Sequence, residues 1–151
     1  FVPKQFLELL KKKRLVDVQL GDHFEQVLTV LFMDIRNFTD LSETLDTEQV
    51  FSFINEFLSH MSPIITKHHG FIDKYIGDAI MALFPDSAND ALNAAIALQE
   101  ALVQFNRDKQ ISIEAGIGIH TGKAMLGTVG DKFRIDGSVM GDTINIASRI
   151  E

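Results

Sequence analysis

Residues 27–34 read VLTVLFMD, an almost unbroken apolar run that ends in an aspartate. A run of this kind is typical of a strand that is buried on both faces of a sheet. Apolar residues at helical spacing follow over residues 50–65, and residues 71–84 then read FIDKYIGDAIMALF. The last stretch consists of two short apolar segments around a Gly-Asp pair, which predicts a β-hairpin. The predicted order is therefore strand, helix and hairpin.

The rest of the chain extends this order. The further predicted elements are a helix that opens at Ser87, strands at 111–119, 124–129 and 133–138, and a last helix over 141–150. The pair Thr121-Gly122 is predicted to turn the chain between two of these strands. The sequence therefore predicts an α+β fold, a ferredoxin-like split βαβ palm whose mainly antiparallel sheet carries helices on one face.

The bulk composition limits the functions that this chain can have. Its 151 residues are 46% hydrophobic and 23% charged, which suits one globular domain with a sizeable core. The net charge of -7 argues against a nucleic-acid partner, and the absence of cysteine excludes disulfides, zinc-thiolate sites and thiol nucleophiles. No apolar run reaches membrane-spanning length and no signal peptide is visible, so we expect a cytoplasmic domain; whether the full-length protein is attached to a membrane stays open.

Two carboxylates are the leading candidates for chemistry. Asp34 closes the buried strand, and Asp78 lies in the turn of the hairpin. The strand and the hairpin are neighbours in this topology, so both side chains can reach one point at the end of the sheet. Two carboxylates and substrate phosphates form the hard-oxygen ligand set that Mg²⁺ prefers. Taken singly, each has a simpler explanation, since aspartate caps helices and often follows glycine in turns.

Four ordered motifs resemble those of the class III nucleotidyl cyclases. Residues 31–39 (LFMDIRNFT) and 74–82 (KYIGDAIMA) resemble the two metal-binding motifs of that family. Residues 116–122 (GIGIHTG) resemble its central strand, and residues 141–149 (GDTINIASR) are similar to its transition-state helix. Each motif alone is a weak signal, but the four in this order make the chain similar to a cyclase catalytic domain.

The resemblance implies a two-metal reaction. Asp34 and Asp78 would hold two Mg²⁺ or Mn²⁺ ions per site, and the backbone carbonyl of Ile35 would join them. The 3′-hydroxyl of ATP would attack the α-phosphorus in line and expel pyrophosphate, which makes cyclic AMP. Family members build this site at a dimer interface, so the resemblance implies a homodimer with shared active sites.

By the same resemblance, four further residues would hold ATP. Lys74 and Ser138 would contact the base, Asn145 would orient the ribose, and Arg149 would neutralise charge on the α-phosphate. Asn145 and Arg149 are four residues apart, so they share one face of a helix. Without the other motifs, an exposed strand lysine and a surface helix pair would be the simpler explanations.

Lys74 and Ser138 also bear on the choice of base. Many family members have an aspartate where this chain has Ser138, and the subgroup with a small hydroxyl residue there includes bicarbonate-responsive adenylyl cyclases. Lysine can donate to a ring nitrogen of adenine, and a hydroxyl can accept from its exocyclic amine. Guanylyl members typically have glutamate at the position of Lys74. The pair points to ATP, with a guanylyl cyclase as the alternative.

Two further alternatives stay open. A diguanylate cyclase shares the palm topology, although this chain has Ile-Gly-Asp over residues 76–78 in place of the Gly-Gly-Asp/Glu-Glu-Phe hairpin. A catalytically silent module that only dimerises or binds nucleotide is the alternative from a different class. The joint presence of Asp34, Asp78, Asn145 and Arg149 argues against the silent module.

Two departures from the family bear on activity. Residues 1–26 are expected to form a connector helix and strand after an upstream regulatory domain, and residues 27–151 the catalytic domain. The family continues beyond this point, so the C-terminal part is expected to be missing and the fragment to be weakly active or inactive. An arginine that is common in the family is Gly116 here, and Arg134 and Lys123 are the candidates to replace it.

Overall fold

The elements follow one another in the predicted order of strand, helix, hairpin, helix and strands. A computed structural model describes residues 3–9, 19–131 and 134–151. The helices are α1 (Lys4–Leu9), α2 (Phe38–Glu43), α3 (Thr47–Lys67), α4 (Ala88–Lys109) and α5 (Asp142–Ile150). The strands are β1 (His23–Ile35), β2 (Phe71–Ile76), β3 (Ala79–Phe84), β4 (Ala115–Gly130) and β5 (Ile135–Met140).

β1 lies at the centre of the sheet. The five strands take the order β2-β3-β1-β4-β5, and each of the described pairings is antiparallel. β1 is therefore flanked by β3 and β4, and the apolar run that predicts a doubly buried strand falls on it. The predicted ferredoxin-like α+β fold with an antiparallel sheet is confirmed.

The two faces of the sheet bury separate cores. On one face, β1 residues such as Leu31 pack with α3 and α4; we call this the first core. On the opposite face, Val30 and Phe32 pack with Phe6 of α1 and Ala147 of α5, in the second core. Successive strand residues point to opposite faces, which is why β1 contributes to both. The two long helices share one face, as predicted, and the short α1 and α5 lie on the other.

α3 begins where the sequence predicts. Gln49 N–H donates to Asp46 Oδ1 at 2.8 Å, and Asp46 N–H donates to Gln49 Oε1 at 3.0 Å, which makes a reciprocal capping box. The short α2, which lies between β1 and α3, is not predicted from the sequence. Its six residues are too few to show a helical period.

The predicted turn at Thr121-Gly122 is wrong, because β4 runs through it as one strand of 16 residues. Gly122 pairs with Leu28 in unbroken register with β1. A Cβ on Gly122 would lie 2.5 Å from the Oγ1 of Thr143 in α5. The glycine therefore marks a close approach of α5 to the strand, which sequence reasoning mistakes for turn chemistry.

Three strands begin at other residues than predicted, since β5 covers Ile135–Met140 where a strand over 133–138 is predicted. β1 begins at His23 and not at Val27, because its first residues alternate between exposed and half-buried positions and form no apolar run. β4 begins at Ala115, later than predicted. The Asn106 side chain donates to Ile113 O at 2.9 Å and accepts from Ile113 N–H at 3.1 Å, so it takes these backbone groups in place of a strand partner.

A short helix near the N-terminus is confirmed as α1, in which Phe6 is buried. The basic run from Lys11 to Arg14 lies outside the described residues, as does Phe133 at the start of a predicted strand. Among residues 3–9, 19–131 and 134–151, no helix is both long and apolar enough to cross a membrane. The division into residues 1–26 and 27–151 stays a prediction.

Gly118 offers a test of how α5 is seated. A Cβ there would overlap the backbone O of Ala147 and the backbone N of Glu151. Backbone atoms, unlike a side chain, cannot avoid this overlap by adopting another rotamer. We expect Gly118→Ala to lower the free energy of unfolding in urea by about 2 kcal/mol. Gly116→Ala is the matched control, with an expected loss below about 1 kcal/mol, because its Cβ would meet only the flexible side chain of Arg36. Equal losses would contradict this packing.

Candidate active site

Asp34 and Asp78 lie at the same end of the sheet. β3 pairs with the C-terminal half of β1, which brings the turn after β2 beside the end of β1. The backbone N–H of Ile35 donates to Asp78 Oδ2 at 3.0 Å. The Asp78 carboxylate is thereby fixed next to the residue that follows Asp34. The structure thus brings the two carboxylates predicted from the sequence together.

Asp34 has an unsatisfied carboxylate oxygen. Its side chain is 34% exposed, but Oδ1 is buried and accepts no hydrogen bond from the described residues. Arg36 Nη1 lies 3.8 Å away, which is an ion-pair distance and too long for a hydrogen bond. An orphaned carboxylate oxygen is costly to bury, and it has lone pairs available to a cation.

The donor set at this end of the sheet fits a divalent metal. Asp34 and Asp78 supply the hard oxygen ligands that Mg²⁺ and Mn²⁺ prefer. Within the described part of the chain, no group of three or more His, Cys, Asp or Glu side chains is placed to hold a metal. Further ligands would have to be oxygens of the backbone, water or substrate phosphates, as is usual for Mg²⁺. The predicted use of the Ile35 carbonyl is compatible with this requirement.

Arg36 is a site residue that sequence reasoning missed. Its Nη1 donates to Glu151 Oε1 at 3.1 Å, and its Nη2 donates to the backbone O of Glu151. The guanidinium fills the space that a side chain at position 116 would need, because a Cβ on Gly116 would overlap it. The family's common arginine is replaced by Gly116 in this chain, and Arg134 and Lys123 are the predicted substitutes. In the structure, the guanidinium that lies against Gly116 is that of Arg36.

Glu151 places a carboxyl beside Asp34 and Arg36. Its side chain is 14% exposed. Burial, followed by contact with Asp34, raises the pKa of Glu151 to about 7, while Arg36 acts in the opposite direction. Below that pH Glu151 is mostly protonated, so the two carboxyls are not both charged. No local pattern signals Glu151, because its contact with Arg36 joins residues that are 115 positions apart.

Lys74 lies on a cavity of about 550 Å³ between β2 and the start of β5. Arg134, Asp136 and Gly137 line the β5 side. The Lys74 side chain is 44% exposed, and its Nζ lies 3.6 Å from Asp73 Oδ2. The cavity is large enough for a purine base, and the ammonium at its wall is a hydrogen-bond donor.

Ser138 lines a different cavity. This second cavity, of about 190 Å³, also includes His23, Met125 and Thr128. Asp136 and Gly137 line the Lys74 cavity, whereas Ser138, the next residue of β5, lines the second cavity. The single chain therefore does not bring Lys74 and Ser138 together.

Asn145 and Arg149 are exposed on α5. The opposite side of the helix is anchored to the sheet, because Thr143 Oγ1 donates to Lys123 O at 2.6 Å and Ala147 is fully buried. Neither the Asn145 nor the Arg149 side chain makes a hydrogen bond or ion pair with another residue of the described ranges. The helix face predicted from their spacing is therefore free to meet a ligand or a second subunit.

Comparison with known proteins agrees with this geometry. The sequence profile described as "Adenylate and Guanylate cyclase catalytic domain" matches residues 21–151. An adenylate cyclase from Anabaena cylindrica is 44% identical over 160 residues, an alignment that covers 100% of this chain and 32% of that protein. The chain thus spans about a third of the length of that curated relative.

Two solved structures share the fold. The crystal structure of the adenylyl cyclase CyaB from P. aeruginosa matches with a TM-score of 0.76 at 37% identity, over 85% of this chain and 72% of that chain. The crystal structure of the guanylyl cyclase Cya2 matches with a TM-score of 0.76 at 34% identity, over 88% of this chain and 72% of that chain. Metal and nucleotide binding are general properties of such domains. Because the family profile matches residues 21–151, this chain belongs to the adenylate and guanylate cyclase catalytic domain family and is a nucleotidyl cyclase domain.

Proposed function

We propose that this domain converts ATP into 3′,5′-cyclic AMP and pyrophosphate. The observation that carries the proposal is the meeting of Asp34 and Asp78. The Ile35 N–H holds Asp78 at 3.0 Å, and Asp34 keeps a buried oxygen without a donor. A pair of this kind is expensive as a purely structural feature, whereas it fits the divalent metals that the family uses.

The proposed reaction joins the 3′-oxygen of ATP to the α-phosphorus. The bond from the α-phosphorus to the pyrophosphate oxygen breaks, and the 3′-hydroxyl gives up its proton to solvent water. Two Mg²⁺ or Mn²⁺ ions, held by Asp34, Asp78 and the Ile35 carbonyl, would stabilise the charge on the attacking and leaving oxygens. Asn145 would hold the ribose for in-line attack, and Arg149 would neutralise the charge that grows on the α-phosphate.

Lys74 supports adenine as the base. Its ammonium stands at the wall of a 550 Å³ cavity, where it can donate to a ring nitrogen of adenine. Ser138 stays a predicted contact of the exocyclic amine, since it lines the neighbouring cavity in the single chain. A guanylyl cyclase is the second candidate, because the chain shares 34% sequence identity with the guanylyl cyclase Cya2.

We propose a homodimer with two shared active sites. One subunit would supply the two metal-binding carboxylates, and its partner would supply the base-reading lysine and the exposed face of α5. Beside Asn145 and Arg149, the apolar side chains of Ile146 and Ile150 are 37% and 56% exposed. Exposed apolar groups next to unpaired polar ones suit a surface that a second subunit covers. A two-fold axis would then make both sites equivalent.

We also propose a cytoplasmic setting and an upstream regulatory domain. ATP, the proposed substrate, is a cytoplasmic metabolite. The net charge of -7 also argues against a nucleic-acid partner. The Anabaena adenylate cyclase extends well beyond the 32% of it that this chain matches, which leaves room for further domains in a longer protein.

Product analysis tests the function. We expect the full-length protein to form cyclic AMP from ATP with Mg²⁺ or Mn²⁺ at a rate about tenfold or more above cyclic GMP from GTP, because Lys74 suits adenine. A metal chelator should stop the reaction. A rate that favours GTP would make the domain a guanylyl cyclase. No cyclic product from a folded dimer would favour a silent nucleotide-binding module.

A further inference from the structure

β2 contains a β-bulge at Asp73. Ile72 pairs with Ala82, and the next paired residue is Lys74, opposite Met81, so Asp73 has no partner on β3. β-bulges re-aim the side chains that follow them, and they are common at sheet edges and beside active sites. β2 is an edge strand, because it pairs with β3 alone among the described strands.

The bulge decides which face of the sheet Lys74 occupies. In a regular strand, Lys74 would share the face of Ile72, which packs against the first core under α3 and α4. Opposite Met81, it shares the face of the second core. The next residue agrees with this shift, since Tyr75 Oη lies 3.0 Å from the Oγ of Ser62 in α3, on the face of the first core.

The Asp73 carboxylate is buried beside the lysine that the bulge re-aims. Its side chain is 1% exposed, against 44% for Lys74. Its Oδ2 lies 3.6 Å from Lys74 Nζ and has no hydrogen-bond partner among residues 3–9, 19–131 and 134–151. Burial raises the pKa of Asp73, and the charge of Lys74 works against that rise. A buried carboxylate with this neighbour acts as a fixed counter-ion.

We propose that Asp73 is a positioning residue, which holds the Lys74 ammonium at the wall of the base cavity. Asp73 and Lys74 both line this cavity, and the Asp73 carboxylate is the ion-pair partner of the lysine there. A lysine side chain loses much rotamer freedom when it is fixed. An ion pair that fixes it in the free protein removes this cost from nucleotide binding. The inference rests on the proposed function and names a residue that prepares the same site.

A double-mutant cycle tests whether Asp73 acts through Lys74. In the full-length protein, we expect Asp73→Asn to raise KM for ATP about tenfold with kcat changed by less than about twofold, since it affects binding alone. Lys74→Ala should raise KM as well. Adding Asp73→Asn to Lys74→Ala should cause no further rise, because the group to be positioned is gone. Equal effects in both backgrounds would overturn the proposal and leave Asp73 a structural residue.

A control and a second probe complete the experiment. Asp86→Asn removes the same charge from an exposed position and should leave KM unchanged. Calorimetric binding of 3′-deoxy-ATP, which lacks the attacking hydroxyl, repeats the cycle without turnover. If the wild type binds this probe but makes no cyclic product, the proposed function fails while the cycle still decides the role of Asp73. If the wild type neither binds nor turns over, both proposals fail.

Discussion

Asp34→Asn is expected to abolish cyclic nucleotide formation, with kcat lowered roughly a thousandfold or more. The amide keeps the shape of the side chain and one acceptor oxygen, but it loses the charge that a divalent metal requires. A loss of about 4 kcal/mol of transition-state stabilisation corresponds to a thousandfold in rate. The measurement is steady-state turnover of the full-length protein at saturating Mn²⁺, together with the affinity for Mn²⁺ by titration calorimetry, which should also fall.

The stability of the Asp34→Asn variant should not fall. Asp34 Oδ1 is buried without a donor, and the Glu151 carboxyl is close enough for its pKa to be raised to about 7. The substitution removes one charge from this crowded place, so the midpoint of thermal unfolding should stay level or rise. Lost activity with retained stability is the behaviour of a residue kept for function and not for folding.

Asp40→Asn is the matched control for this prediction. Asp40 is exposed in the first turn of α2, six residues further along the chain, and removing its charge should leave turnover within about twofold. Full activity of the Asp34→Asn variant would show that the metal is held elsewhere, and the Asp34–Asp78 pair would then need another explanation.

Much of the fold was accessible from the sequence because its signals are local. The apolar run before Asp34 predicts a doubly buried strand, and β1 is the central strand. The capping pair Asp46 and Gln49 predicts the start of α3, and both hydrogen bonds are present. In each case the residues that carry the signal also make the interaction, so no knowledge of distant contacts is needed.

The features that escaped prediction depend on contacts between distant residues. Gly122 looks like a turn residue, and only its closeness to Thr143 shows why a glycine stands inside a strand. The bulge at Asp73 does not interrupt the amino-acid pattern that predicts β2 as a strand. It is visible only in the register between β2 and β3. Arg36 and Glu151 meet across most of the chain's length. Sequence periodicity contains no information about such pairs.

Only those parts of the candidate site that follow from the order of the elements could be predicted from the sequence. Asp34 and Asp78 end adjacent elements, so topology alone predicts that they meet. Lys74 and Ser138 depend on which way two strand residues point, and the structure assigns them to different cavities. The proposed roles of Asn145 and Arg149 involve the metal-binding carboxylates of a second subunit, so these roles stay predictions.

Arg149→Ala is expected to lower kcat about a hundredfold or more while KM for ATP changes by less than about threefold. The charge that Arg149 would neutralise grows on the α-phosphate in the transition state, so the ground-state complex loses little. The side chain has no ion pair within the described ranges, and alanine is a good helix former, so α5 should stay intact. Steady-state kinetics and thermal unfolding measure both expectations.

Arg107→Ala is the matched control, because Arg107 is also an exposed arginine in the last turn of a helix, α4. It should leave kcat and KM unchanged within about twofold. An equal loss of kcat in both variants would point to a general effect of surface charge. A rise in KM without a loss of kcat would place Arg149 in ground-state binding.

Mixing the inactive Asp34→Asn and Arg149→Ala proteins is then expected to restore activity. If each site takes its carboxylates from one subunit and its arginine from the other, a mixed dimer combines both defects in one site and leaves its second site intact. Random exchange of equal amounts makes about half of the dimers mixed, so about a quarter of the wild-type activity should return. No recovery from two folded variants that exchange subunits would mean that each site lies within one chain. In that case the exposed face of α5, with Asn145 and Arg149, would not contribute to the active site of a partner subunit, and its role would have to be a different one.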